Sequence, residues 1–250
     1  MKDAAVAQLV EHPPCKRTVR GSMPRGGTIL TAHQACYMPH LAFFAKFAQA
    51  DLVCILDTVQ FGAKAWENRC HIKTAQGPLL LTVPVESGHL QKTGGNIRIV
   101  HNGWARKHCR SIELAYSKAP FFEEYFYELH NIISTGYEYL STLNTALLGW
   151  LMAHYNIKMP MTLASVHHFA GTKSDLVLDM CRKLGAREYI FGSQGRDYAD
   201  LEAFAAAGIR VRFQDFDARP YAQLHGDFLP RMSAIDALFN LGPAARELLT

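Results

Sequence analysis

The chain predicts an α/β fold: a mostly parallel sheet with helices on both faces, carrying a β-hairpin and a helical insertion in its middle. Three observations lead there. Short apolar runs without polar alternation lie near both ends of the chain, as strands buried on two faces require. Segments of helical period separate them, so β and α elements alternate at both ends. Between the two alternating regions a hairpin is followed by three consecutive helices.

In chain order, Thr28–His33 is the first strand, ending in the turn-like Tyr37-Met38-Pro39. Residues 41–50 are helical, with Phe43, Phe44 and Phe47 on one apolar face. Residues 52–56 form a bare apolar strand, which completes a β-α-β unit and favours right-handed parallel pairing. Residues 70–73 and 79–85 flank Gln76-Gly77 as a hairpin, and residues 97–100 add a further strand. Amphipathic helices follow at Trp104–Tyr116, 121–133 and 137–155. Alternation then resumes. Strands are expected at 162–166, 189–191 and 209–213, with helices at 174–184, 200–207 and 233–240; Gly185, Gly208 and Gly242 stand after helix ends.

The chain has 250 residues and 49% apolar composition, enough for one full core, and residues 28–250 read as a single domain. No apolar run reaches the roughly 18 residues that span a bilayer. The net charge of +4 does not indicate a nucleic-acid binder. Five basic and two acidic residues before position 28 hold +3 of it, leaving the body almost neutral, with no concentrated basic face. The six cysteines form no C-x-x-C pair and read as reduced, buried thiols, which fits a cytoplasmic address. No zinc-ligand spacing appears, and neither a metal nor a cofactor is called for. Residues 1–27 lack periodicity and contain Pro13-Pro14. They read as a disordered or spurious extension, similar to the conceptual translation of a transfer-RNA gene, and as dispensable.

Polar clusters fall at strand ends, where parallel sheets bind ligands. After the first strand come His33 and Gln34, then Tyr37. The second strand ends in Asp57, followed by Gln60, Lys64, Asn68 and Arg69, a mixture suited to an anionic, hydroxyl-rich ligand. Gly192, Gly195, Arg196, Asp197 and Tyr198 follow the strand at 189–191 and offer backbone amides for an anion. Gln214, Asp215 and Tyr221 follow the last strand. Asp57, Asp215 and His33 are the candidate catalytic groups and the others are candidate substrate contacts. Asp57, Arg69, Asp197 and Asp215 are expected to share one cleft. Gly195 is expected to tolerate valine in the fold while losing the anion.

These pieces resemble the WbqC-like family. The resemblance rests on HQACYMPHLAFFAKFAQADLVCILDTVQF, WENRCHIKTAQGPLLLTVPV, YSKAPFFEEY, YIFGSQGRDYADLEAF, GIRVRFQDF, YAQ and MSAIDALFNLGP, in order over roughly residues 29–243. Its most specific blocks are N-R-x-x-I-K-T and G-x-x-G-x-D-Y. The chain departs from the family pattern at Ala35, His40 and Ala42. The resemblance implies a role in bacterial surface-polysaccharide synthesis of the O-antigen type. The implied activity is a transferase moving a glycyl or other small acyl group onto a nucleotide-linked or lipid-linked sugar. A weaker likeness, to nucleotidyltransferases with an H-x-G-H turn, lacks the second histidine spacing. A nucleotidyltransferase-like enzyme using a nucleoside triphosphate and a non-catalytic carbohydrate-binding protein are the competing expectations.

Overall fold

The computed structural model describes residues 27–62 and 66–250. The expectations for residues 1–26 and for Lys64 lie outside the described residues.

Five parallel strands form one sheet in the order β5-β2-β1-β6-β7. They are β1 (Thr28–His33), β2 (Leu52–Ile55), β5 (Met161–Leu163), β6 (Ala186–Phe191) and β7 (Arg210–Phe213). β1 is central and is covered on both sides. Leu30 and Thr31 are both fully buried, and the Thr31 hydroxyl is satisfied by donating to the Ile190 carbonyl at 2.8 Å. The period of two sorts the side chains to two cores. Leu30, Ala32, Leu52 and Cys54 pack with Val177, Met180 and Phe204 of helices α5 (Lys173–Lys183) and α6 (Leu201–Ala206). Val53 and Ile55 face the larger core. That core is built by α1 (Leu41–Phe47), α2 (Trp104–Tyr116), α3 (Phe122–Ser134), α4 (Leu140–His154) and α7 (Ala234–Leu241). The hairpin β3 (Arg69–Thr74) and β4 (Gly77–Thr82) lies apart from the main sheet. The parallel sheet, the helices on both faces, the hairpin and the helical insertion are therefore all present.

Where elements differ from expectation, a specific bond is responsible. α1 stops at Phe47 rather than residue 50 because Gln49 and Ala50 turn back onto the Lys46 and Phe47 carbonyls. That tight turn lets the Asp51 N–H reach the Ile29 carbonyl at 2.8 Å and start β2 in register. Residues 97–100 are not a strand. Their backbone is pinned on one side to Pro84 and Glu86 and on the other to Glu138 and Leu140, so no ladder runs along them. α4 is not amphipathic. Leu143, Leu147, Leu148 and Leu151 are fully buried and Asn144 and Trp150 nearly so on other sides, leaving only a narrow exposed stripe at Thr142 and Ala153. The five cysteines among the described residues are buried and form no disulfide with one another. No described helix is long and apolar enough to cross a membrane.

One polar knot braces the larger core. The Asp236 carboxylate, fully buried on α7, accepts bonds from the hydroxyls of Tyr116 at 2.8 Å and Tyr221 at 2.7 Å, and from the Gln223 amide at 2.9 Å. The Tyr116 hydroxyl in turn accepts the Lys73 N–H, and the Lys73 ammonium donates to the carbonyls of Gly226 and Asp227. Burial raises the Asp236 carboxyl, and the three donors and Lys73 oppose that rise. Asp236→Ala would leave the Tyr116 and Tyr221 hydroxyls without their acceptor and take one of the bonds of the Gln223 amide, which keeps the Leu229 carbonyl, at a net cost of about 3 kcal/mol. A thermal melt should then fall by roughly 6–12 °C. A fall of less than two degrees would show that the knot does not hold the hairpin and α7 together.

Candidate functional site

A cavity of about 340 Å³ opens beyond the carboxyl ends of β1, β2 and β5. Parallel strands leave unpaired backbone there, so loops and side chains must finish the bonding. Gln34 and Ala35 leave β1, Leu56 and Asp57 leave β2, and Leu163 ends β5. The N-terminal turns of α4 supply the roof through Leu140, Ser141, Thr142, Asn144 and Thr145.

Asp57 shapes one wall. Its carboxylate accepts the Ser165 N–H at 2.9 Å and the Ser165 hydroxyl at 2.6 Å. These bonds bend the chain after Leu163 into a 3-10 turn at Ala164–Val166, which is why the strand expected over 162–166 ends early. On the other side, the Gly95 N–H donates to the Asp57 carbonyl at 2.8 Å. A Cβ on Gly95 would stand 3.1 Å from that carbonyl oxygen, so the close approach suits glycine. Gln60 extends the rim. The Gln34 amide donates to its carbonyl at 3.1 Å, and its own amide donates to the Leu90 carbonyl.

Glu67 and Asn144 form the second wall. The Asn144 amide nitrogen donates to the carbonyls of Ala35 at 2.9 Å and Glu67 at 2.7 Å. That fixes the amide orientation, because the flipped form would set oxygen against two carbonyls. Its Oδ1 atom is buried without a partner, and so is Oε1 of Glu67. Burial raises the Glu67 carboxyl above its ordinary value, opposed by its own N–H, the Gly62 N–H and the charge of Arg69.

Beside the cavity, the ring of His33 packs on Phe43 at 4.7 Å, and its Nδ1 lies 2.9 Å from the Gln34 carbonyl. Burial, then the charge of Lys46, lowers the imidazole to about 3. A group that weak is a poor general base near neutral pH. Lys46 is itself buried, donates to the Ala32 carbonyl at 3.0 Å and is lowered to about 8 by burial. The Cys36 thiol lies 3.9 Å from the His33 ring, and burial pushes it up.

A family model described as the WbqC-like protein family matches residues 34–248. The chain belongs to this family. It is 33% identical over 219 residues to a protein described as "Uncharacterized protein Rv1507c" from Mycobacterium tuberculosis, covering 86% of this chain and 95% of that one. No solved structure matches.

The remaining expected site residues of this WbqC-like protein are dispersed. Tyr37 is fully buried in the larger core with its hydroxyl 3.0 Å from His108 Nδ1, and Tyr221 belongs to the Asp236 knot. Asn68 donates to the Val83 carbonyl, and Gln214 donates to the Ala42 carbonyl, tying β7 to α1. Gly192 precedes a 3-10 turn at Ser193–Asp197 that carries Gly195, Arg196 and Asp197 and ends at Tyr198. Arg196 pairs with Asp215 at 2.8 Å and lies over the Phe213 ring at 5.0 Å. The shared cleft expected for four charged residues is not formed around the cavity. Of the four, Asp57 lines it, whereas Arg69 opens β3 and Asp197 and Asp215 follow β6 and β7. Strand spacing sets the ends of β2 and β7 about 14 Å apart. The residues missed in the sequence are Glu67, Asn144, Ser141, Thr142 and Gly95. The visible signal was Asn144, a polar residue inside the most apolar helical stretch, since an amide is buried there only with a task.

Gly195 also needs correction. Its missing side chain makes room for Phe191, because a Cβ there would stand 2.5 Å from that ring's own Cβ. Gly195→Val is therefore expected to destabilise the fold by about 2 kcal/mol or more rather than leave it intact. Urea unfolding measures this, and an unchanged midpoint would restore the view that the glycine serves a ligand.

His33 supplies a pH prediction. Its ordinary value is 6.5 and its folded value about 3, so between them the unfolded chain binds the extra proton. The stability from this group is full above pH 6.5 and drains as pH falls towards 3, by up to about 1.4 kcal/mol per pH unit. His33→Gln should lose less stability than the parent between pH 7 and pH 4.5 in urea titrations. Equal losses would show that His33 is not a source of the acid sensitivity.

Proposed function

We propose that this WbqC-like protein is a cytoplasmic transferase of bacterial surface-polysaccharide synthesis, moving a glycyl or other small acyl group onto a nucleotide-linked or lipid-linked sugar. The observation that carries the reading is the cavity at the strand ends, whose lining brings Asp57, Glu67, Gln34, Ser141, Thr142 and Asn144 together beyond three parallel strands. The volume suits a sugar ring or a small acyl group, and the lining mixes carboxyl, amide and hydroxyl groups with apolar walls, as carbohydrate contacts require.

In this reading the sugar or acyl unit enters the cavity between Asp57 and Glu67, with Gln34 and Ser141 at its edges. The linking phosphate extends along the strand ends towards β6. Two strand spacings, about 10 Å, separate β2 from β6, a span that a sugar joined to a diphosphate covers. Arg196 meets the phosphate there. Asp215 then serves to orient Arg196 rather than to act as a base.

Calorimetric titration with nucleotide sugars is the test. Binding is expected, and Arg196→Ala should weaken it by about 1–2 kcal/mol, less than a fully buried contact because the guanidinium is partly exposed. Binding of nucleoside triphosphates with none of nucleotide sugars would replace this reading with the nucleotidyltransferase one. Binding of free sugars with no turnover of any acyl donor would favour a carbohydrate-binding protein.

A further inference from the structure

We propose that the outer edge of β4 is a self-association surface, on which a second copy of this chain pairs antiparallel about a twofold axis at Leu80 and joins the two hairpins into one sheet.

The hairpin register fixes which backbone groups point outwards. Thr74 faces Gly77 across the Ala75-Gln76 turn, so Ile72–Leu79 and Cys70–Leu81 are the pairs that exchange hydrogen bonds. The alternating pairs Lys73–Pro78, His71–Leu80 and Arg69–Thr82 turn their backbone groups away from each other. β3 follows this rule and its outward groups are occupied. The His71 carbonyl accepts the Ser233 N–H at 2.7 Å, and the Lys73 N–H donates to the Tyr116 hydroxyl at 2.9 Å. On β4 the outward groups are the Pro78 carbonyl and the N–H and carbonyl of Leu80 and of Thr82. Among the described residues the Thr82 carbonyl alone is taken, by the His108 ring. The others stand on exposed residues, and the Leu80 side chain is itself 43% exposed. An open apolar edge of this kind invites another strand.

A strand of the same sequence completes it. With Leu80 opposite Leu80 of the second copy, each N–H donates to the other carbonyl. Thr82 then stands opposite Pro78 of the second copy, and its N–H donates to the Pro78 carbonyl. Pro78 has no N–H to return. The Thr82 carbonyl that would have received it is the one already bonded to His108. The missing donor and the occupied acceptor therefore coincide on both sides of the axis, as a twofold contact requires. β4 carries no charged side chain, so its copies bring no like charges together. The two Leu80 residues meet with Cα atoms about 5.5 Å apart. His71 shares their face, and the half-exposed Trp66 ring packs on it at 5.4 Å, which widens the apolar contact.

Sedimentation equilibrium of the full chain over a concentration series is the test. The mass should rise from that of one chain to that of two. Leu80→Lys and Leu80→Glu leave the bonds between β3 and β4 in place but set like charges face to face across the axis, so each variant alone should stay a single chain. Mixed in equal amounts they should recover the mass of two chains, because opposite charges then meet. Amide hydrogen exchange of the parent protein needs no variant and decides the matter if either substitution unfolds the hairpin. The Leu80 and Thr82 amides should gain protection as concentration rises, whereas those of Leu79 and Leu81, already bonded to β3, should not change. A parent that stays a single chain at every concentration overturns the assignment. So do variants that each still dimerise, a mixture that fails to, or a dimer in which the Leu80 amide gains no protection.

Discussion

The side-chain amide of Asn144 reaches out of the most deeply buried helix and takes up two backbone carbonyls, those of Ala35 and Glu67, that no ladder satisfies. Buried carbonyls must find donors, and at the end of a parallel sheet the strands supply none. Those two bonds hold the loop leaving β1 and the loop entering the hairpin against α4. The Tyr37 N–H adds a third tie by donating to the same Glu67 carbonyl at 3.1 Å. The space left between these loops and the ends of β2 and β5 is the cavity. The helical layer thus does more than cover one face of the sheet, because its first turns form the roof of the site.

The strand-end clusters show how far charge at a promising position is absorbed by the protein itself. Asp57 holds Ser165, Arg196 holds Asp215, Gln214 holds α1, and Tyr221 is bonded to Asp236. Asp57 and Gln214 take backbone partners that the sheet leaves over, while Arg196, Asp215 and Tyr221 are taken up by other side chains. Glu67 and Asn144, embedded in apolar surroundings, instead each keep one buried oxygen that the protein does not pair.

Much of the architecture was legible because two periodicities and the glycine stops are local properties. β1 occupies Thr28–His33 as its apolar run implied, and α2 begins and ends where the helical pattern does. What was not legible depends on contacts across the chain. The end of β5 is set by Asp57, and that of α1 by the turn of Gln49 and Ala50 that carries Asp51 to Ile29. Gly195 looked like a place for a phosphate because glycine permits close approach, but a glycine cannot declare what approaches it. Here it is Phe191. Glu67 lies inside a block that carries the family resemblance, beside Asn68 and Arg69, whose side chains look more like ligand contacts.

The sheet order also has a kinetic side. β2 and β5 are neighbours, yet Val53 pairs with Met161 across roughly a hundred residues that include the hairpin and three helices. The β1–β6 pairing, Leu30 with Tyr189, spans still more chain, so both sides of the sheet rest on closures that are entropically unfavourable until the intervening layer has condensed, and β5 docks on β2 by one of them. Until it does, β2 is an open edge with unpaired amides and carbonyls, the kind of edge that recruits strands from other chains. The same closure brings Leu163 to the cavity and Ser165 to Asp57. Covering the β2 edge and completing the cavity wall are thus one event, and the helical insertion between β2 and β5 links the two.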